Sequence, residues 1–325
     1  MPGSQESIAL NYLESLGVNA ATQVTGLLLS HWLSDHIKGA YQLVSACENA
    51  AIHASAALFS SEAVNLACLY KNDPFNNTDK EIREFRNIVE YLKEQGQQGR
   101  FDLVHARHYF FDDRDTATRL IALSPSTVAT TQAIERIREL KPKGGQRRAR
   151  LIAPSSENLN AVALHFSFGE FSAVLGSDLE ETGNVHTGWS AVHNSNIATQ
   201  LSLSKSHVYK VAHHGSETGH HQDTWEHFLV SQPQAITTTY SNSLLPKQSD
   251  IDRIKPLASS LIVTRDPTPK NKTKRNSFTD RWLKRQTTRR HVINDKIGHI
   301  QIRITTDGEF SVAKNSACVE YRMGN

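Results

Sequence analysis

Hydrophobic and polar positions along this chain fall into two textures, helical before about residue 140 and strand-like after it. Residues 7–17 place apolar side chains at helical spacing and end on Gly17, a C-cap residue. Val24 to Leu29 is a largely apolar run of strand length. Ile37 to Leu69 is dominated by Ala, Leu and Val with few breakers, which predicts an interrupted helix. Asn72 to Asn77 is a loop. Asp79 to Gln98 then predicts a charged helix, with Thr78 as its cap and Ile82, Phe85, Ile88 and Leu92 along one stripe. Phe101 to Leu123 mixes a short apolar run with the charged patch Asp112-Asp113-Arg114-Asp115. Ser126 to Leu140 is again helical in pattern, with Ile134, Ile137 and Leu140 on one side. Lys141 to Arg150 is basic and broken by Pro and Gly, as in an exposed linker.

Beyond that linker the pattern predicts strands at 161–166, 171–175, 208–212, 235–239, 261–264 and 299–304. Short helices are expected at 225–229 and 249–257. Strands alternating with helices predict an α/β layered fold. The expected organisation is a single domain over 1–325, with a helical insertion at about 71–140 and a basic linker at 141–150.

Composition narrows the classes. The chain has 325 residues and a net charge of +3, too small to name a partner. The three cysteines, Cys47, Cys68 and Cys318, are far apart and form no CxxC pair, which argues against a disulfide framework or a thiolate zinc site. No apolar run approaches the roughly 18 residues needed to cross a bilayer, and the first residues lack a signal-peptide pattern. A cytoplasmic protein that does not enter a membrane is expected. Charge is unevenly spread: residues 270–290 hold nine Lys/Arg against one Asp, a pattern that is usually a solvated loop. Beside a metal cleft the same run would suit a phosphate backbone. Seven of the sixteen histidines fall between His186 and His221.

Three clusters share one layout, an apolar strand followed by a tight turn carrying acid or His. Leu27-Leu28-Leu29 precedes His31, Asp35 and His36. Ala173-Val174-Leu175-Gly176-Ser177 leads to Asp178, Glu180 and Glu181. Val208 to Ala212 precedes His213-His214-Gly215-Ser216. Neighbouring strands in one sheet bring such ends side by side, so residues far apart in sequence can ring one cation. Carboxylates Asp35 and Asp178 with imidazoles His36 and His213 make an N/O site suited to zinc or manganese. His214 is an alternative ligand to His213, with the other histidine left to orient substrate or a ligand. Taken alone, Asp35 reads first as a helix N-cap with His36 its solvent-facing neighbour, and Trp189 is a core residue.

On these motifs the chain resembles the metallo-β-lactamase-fold hydrolases, whose signature is His-x-His-x-Asp-His after a strand. It is most similar to the branch that includes the hydrolase domain of bacterial DNA-uptake channels. The corresponding residues are His31-Trp32-Leu33-Ser34-Asp35-His36, Gly176-Ser177-Asp178-Leu179-Glu180 and His213-His214-Gly215-Ser216, with Asn158-Leu159-Asn160-Ala161 where that branch has an Asn-rich turn. The resemblance spans most of residues 7–304. It implies a four-layer αββα sandwich and a metal site drawn from His31, Asp35, His36, Asp178 and His213 or His214. Leu33 stands where the family has its middle His and cannot ligate, so the resemblance implies one ion or none rather than two. His31, without that partner, then lines the site.

The resemblance also implies front strands that have no counterpart before residue 7. A fragment, a displaced start, or a partner or second copy covering the exposed sheet edge would each account for that. The function expected is metal-dependent hydrolysis, with phosphodiesters of nucleic acid or nucleotides as substrate and Asp35 and Asp178 as catalytic carboxylates. Ser216, Tyr240 and Asn158 are the expected substrate-binding residues. The alternative is a catalytically inactive binding module that keeps the fold. A third class, a basic structural partner for nucleic acid, rests on residues 270–290 alone.

Overall fold

The computed structural model describes residues 7–31, 33–56, 80–139, 157–240, 243–267, 276–286 and 298–322. The loop at 72–77, the cap at Thr78, the linker at 141–150 and much of the basic segment 270–290 lie outside these. So does 57–69, the later part of the expected Ala-rich helix.

The first helix, Ile8–Ser15, stops where its sequence requires. Gly17 takes φ +74°, and the backbone closes on itself with Gly17 N–H donating to Glu14 O (2.8 Å) and Val18 N–H donating to Leu13 O (3.0 Å). This double closure is the Schellman arrangement, which a residue without Cβ accommodates most easily.

Two sheets carry the architecture. Strands β1 (Gly26–Leu29), β2 (Ala51–Ser55) and β3 (Phe101–Val104) form a parallel three-stranded sheet in that order. Eight strands make the larger, mixed sheet: β4 (Tyr109–Asp113), β5 (Thr118–Ala122), β6 (Leu164–Phe168), β7 (Phe171–Leu175), β8 (Ser206–Lys210), β9 (Leu229–Thr237), β10 (Ser260–Val263) and β13 (Val319–Arg322). Their spatial order is β13-β10-β9-β8-β7-β6-β5-β4. Strands β7 to β10 are mutually parallel, flanked by antiparallel pairings on both sides. A hairpin of β11 (Ile300–Ile304) and β12 (Phe310–Lys314) completes the set.

Period-two alternation assigns the faces. From β7, Val174 joins Tyr209 and Ala235 in the main core, where they meet Trp189, Trp225 and Ile254 from helical segments. From the opposite face, Phe171 and Ala173 join Val208 and Ile236 and are covered by Ile300, Ile302 and Ile304 of the hairpin. A second core packs Leu29, Ile52 and Ala54 of the small sheet against Phe85, Ile88 and Leu92 of helix Lys80–Glu94. Phe85, Ile88 and Leu92 of the stripe read from the sequence lie on the buried face of that helix. The two sheets are tied together where Val162 N–H donates to Ser30 O (3.1 Å) and Ser55 Oγ donates to Asn160 O (2.7 Å). The chain is therefore an α/β protein. Among the described residues, no helix is long and apolar enough to cross a membrane.

Two expectations need correction. The helix expected from Ile37 ends at Ala46, and residues 51–55 are strand β2. Ile52 and Ala54 are buried while His53 faces the other way; alanine hides this alternation because it suits a helix equally well. Residues 71–140 are not a helical insertion. Their described part holds helices Lys80–Glu94 and Thr127–Glu139 but also β3, β4 and β5. The charged patch 112–115 lies at the turn of the β4–β5 hairpin, where Asp113 accepts from the N–H of Asp115 (2.9 Å) and from Thr116 Oγ1 (2.8 Å). Exposed strand residues at the edge carry charge, so no apolar alternation marks them. The helix expected at 126–140 is present as Thr127–Glu139.

Gly188 shows how tightly the main core holds the loop after β7. It has φ +61°, and a Cβ there would lie 2.1 Å from the Glu180 carbonyl oxygen. Gly96 has φ +66° with nothing within 4 Å. Gly188→Ala should therefore cost more than about 3 kcal/mol, against about 1–2 kcal/mol for Gly96→Ala. Equilibrium urea unfolding of both variants measures the difference.

Candidate metal centre

Three strand ends supply the site. After β1 the chain turns into the short helix Ser34–Ile37, which carries Asp35 and His36. After β7 comes Asp178, and after β8 comes His214. Strands β7 and β8 are parallel neighbours, and their following turns are laced by Gly176 N–H to Lys210 O (2.9 Å) and His213 N–H to Ser177 O (3.1 Å). A Cβ on Gly176 would lie 2.9 Å from Ala212, so glycine allows this approach. Ser177, His213 and His214 all have positive φ (48°, 44° and 53°). Such backbone costs about 1–3 kcal/mol per residue and tends to persist at functional sites.

Asp35, His36, Asp178 and His214 each present one ligand atom to a common point, all within 4.8 Å of one another. His36 Nε2 lies 3.5 Å from Asp35 Oδ2 and 3.3 Å from Asp178 Oδ2. His214 Nε2 lies 3.0 Å from Asp35 Oδ2 and 3.3 Å from Asp178 Oδ2. His31 Nε2 stands 4.0 Å from the same Asp178 oxygen. Ligands at zinc bond lengths on a tetrahedron are separated by about 3.3–3.4 Å, so these spacings fit a four-coordinate ion. The imidazoles are held from behind. His214 Nδ1 pairs with Thr238 Oγ1 (2.8 Å), and Tyr240 stacks on its ring at 5.0 Å and 14°. Ser30 Oγ lies 3.2 Å from His31 Nδ1 and 3.5 Å from His36 Nδ1. Each Nε2 is thereby the atom left for the centre, as outer partners of metal-binding histidines usually arrange.

Burial is uneven. His31 and Asp178 are each 1% exposed, whereas a quarter of the Asp35 side chain is open to solvent. Among the described residues, the buried His31 Nε2 has no hydrogen-bond partner, while Asp178 Oδ1 has only the Lys210 ammonium beyond hydrogen-bond length. Buried polar atoms without partners are costly, and donors of this kind fit a cation. Burial opposes charge on Asp178, but His214, His36 and the Lys210 ammonium outweigh it and hold the carboxyl far below the usual range. Burial, with the His36 ring beside it, lowers His31 to about 3. Burial also works against a charged His214, yet the hydrogen bonds to Asp178 and Asp35 raise it to about 9. Without an ion, a proton on His214 partly neutralises the two carboxylates.

Of the two adjacent histidines, His214 enters the centre and His213 turns away. His213 Nδ1 is 2.8 Å from Glu180 Oε1, and its Nε2 is 3.3 Å from Asn158 Nδ2. Ser216 Oγ is 3.0 Å from His213 Nδ1. Asn158 and Ser216 are thus buried supports of the His213–Glu180 pair, while Tyr240 is beside the centre. Lys210 was not foreseen. Its Nζ donates to Ser177 O (2.6 Å) and lies 3.6 Å from Asp178 Oδ1. A lysine closing the apolar strand just before His213-His214 was the available signal. Ser30 and Thr238 were also missed, and lone hydroxyl residues give no such signal.

Neither protein-family models nor curated proteins give a match to this chain.

The His214 pairing fixes a pH dependence in the metal-free protein. Its folded pKa of about 9 exceeds the ordinary 6.5, so its contribution is complete below pH 6.5 and is lost as pH rises through 9. Wild type should lose about 3 kcal/mol across that window that His214→Gln does not lose. Denaturant midpoints of both proteins at a series of pH values check this.

Proposed function

We propose that this chain is a metal-dependent hydrolase of the metallo-β-lactamase type, with one zinc or manganese ion held by Asp35, His36, Asp178 and His214. The observation that carries the reading is the convergence of two carboxylates and two imidazoles from three separate strand ends, with each imidazole nitrogen 3.0–3.5 Å from both carboxylates. The mixed eight-stranded sheet beside a smaller parallel one is compatible with the layered sandwich of that family. An ion bound there would lower the pKa of a water molecule and polarise a scissile group.

The residues divide the remaining work. Asp178 is buried and serves to fix the ion. Asp35, the most solvent-accessible of the four, is the carboxylate positioned to orient a water and accept its proton. Lys210 adds a fixed positive charge at the Asp178 oxygen that faces away from the imidazoles. With Leu33 in place of a third imidazole, that charge supports a centre of one ion rather than two. Tyr240, stacked on His214, offers a ring and hydroxyl beside the site for a substrate. Phosphodiesters of nucleic acid or nucleotides are the substrate class to test first. The motifs support it, as do the exposed Arg281 and Arg285 of the helix Ser277–Gln286 within the basic segment.

Leu33 also favours a second reading, a binding module that keeps the ion without turnover. Protein purified without chelator should carry one equivalent of metal that Asp178→Ala lacks, the variant holding less than about a tenth of an equivalent at this centre. Hydrolysis of bis(p-nitrophenyl) phosphate should fall at least about a hundredfold in Asp178→Ala. Metal bound without turnover in wild type would favour the binding module. Turnover that survives Asp178→Ala would remove the hydrolytic centre from this site.

A further inference from the structure

We propose that His53, Asp102 and His108 form a second, structural zinc site that joins the three-stranded sheet to the edge hairpin of the eight-stranded sheet. It shares no residue with the centre around Asp178 and does not depend on the function assigned to that centre.

Topology brings the three together. His53 on β2 is the registered partner of Asp102 on β3, so both side chains stand on the same face of the small sheet. That face is opposite the one Ile52 and Ala54 bury against helix Lys80–Glu94. His108 comes from the turn that leads into β4, held by its own N–H to the His105 carbonyl (3.1 Å) and by Ala122 N–H donating to its carbonyl oxygen (2.9 Å). The site therefore spans the junction between the two sheets.

The spacing is that of ligands. One carboxylate oxygen, Asp102 Oδ2, lies 3.4 Å from His53 Nδ1 and 3.3 Å from His108 Nε2. All three atoms lie within 4.8 Å of one another. Both values match the roughly 3.3–3.4 Å edge of a tetrahedral zinc site. Neither imidazole nitrogen is open to solvent, and among the described residues neither makes a well-formed hydrogen bond. Two buried nitrogens left without such a bond, both aimed at one carboxylate oxygen, are costly to keep unless something binds between them.

Phe110 fixes the ring planes, packing edge-on against His53 at 4.7 Å and His108 at 4.9 Å. The Asp102 side chain is half exposed, which leaves the fourth position to water. Two neutral imidazoles and one carboxylate make a donor set suited to zinc. Bound there, the ion would stabilise the packing of β2 and β3 against the β4–β5 hairpin.

The test is titration of the chelator-stripped full chain with zinc sulfate against a chromophoric competitor. Wild type should bind about two equivalents, His108→Gln about one, Asp178→Ala about one, and the double variant none. His108→Gln binding as much zinc as wild type would overturn the site. Asp102→Asn, a half-exposed and nearly isosteric change, should lose the same equivalent and covers the case in which His108→Gln does not fold. Failure of the central site has a different signature: Asp178→Ala then matches wild type while His108→Gln still loses one equivalent. Saturating zinc should also raise the Tm of Asp178→Ala but not that of Asp178→Ala/His108→Gln. An equal rise in both would overturn the structural role.

Discussion

Asp178 is a carboxylate with almost no access to water, and the terms on which its charge is tolerated organise the molecule around it. One oxygen faces His36 and His214 at 3.3 Å, with His31 at 4.0 Å, and the other has the Lys210 ammonium at 3.6 Å. An isolated buried carboxylate would take up a proton instead. Here the surrounding imidazoles and ammonium hold it ionised. Those partners come from the ends of β1 and β8, so the charge can be held only when both sheets are in place. The left-handed backbone at Ser177, His213 and His214 is the conformational cost of bringing these turns together.

Support for the centre extends outward in layers. Thr238 and Ser30 stand behind the imidazoles, and Tyr240 covers one of them. The His213–Glu180 pair, backed by Asn158, Ser216 and Thr218, stiffens the loops on either side. Arg253 donates to the Gly215 carbonyl (2.6 Å) and pairs with Asp250, tying the turn after β8 to the helix Gln248–Ile254. Adjacent histidines thus have separate duties. His214 faces the carboxylates, and His213 forms part of the frame. With two positive-φ residues in succession, the chain turns sharply enough to point neighbouring side chains in different directions.

The small sheet contributes more than the first ligand loop. Its strand β1 positions His31, Asp35 and His36, and one face of the sheet packs under helix Lys80–Glu94. Arg100 secures the turn before β2, donating from its guanidinium to the Ala50 carbonyl (2.9 Å) and the Cys47 carbonyl (2.6 Å). Small shifts of this sheet against the large one would move Asp35 and His36 relative to Asp178 and His214. The junction at His53, Asp102 and His108 lies along that same seam.

The sequence alone determined which elements have strong periodic patterns and which turns carry chemistry. The helix stripe Phe85, Ile88 and Leu92, the Gly17 cap and the apolar strands β1, β7 and β8 were legible because burial imposes a period on the chain. That Asp35, His36 and Asp178 stand at strand ends was legible because acidic and imidazole side chains directly after apolar strands are conspicuous. Strand β2 was not, since alanine fits a helix or a strand and only parallel pairing with β1 and β3 decides between them. Nor were β3 and β4, whose exposed acidic residues obscure the alternation. The choice of His214 over His213 depends on backbone angles that no residue type dictates. Lys210 and the His53–Asp102–His108 cluster likewise arise from register and packing, which place distant residues within a few ångströms only after the chain has folded.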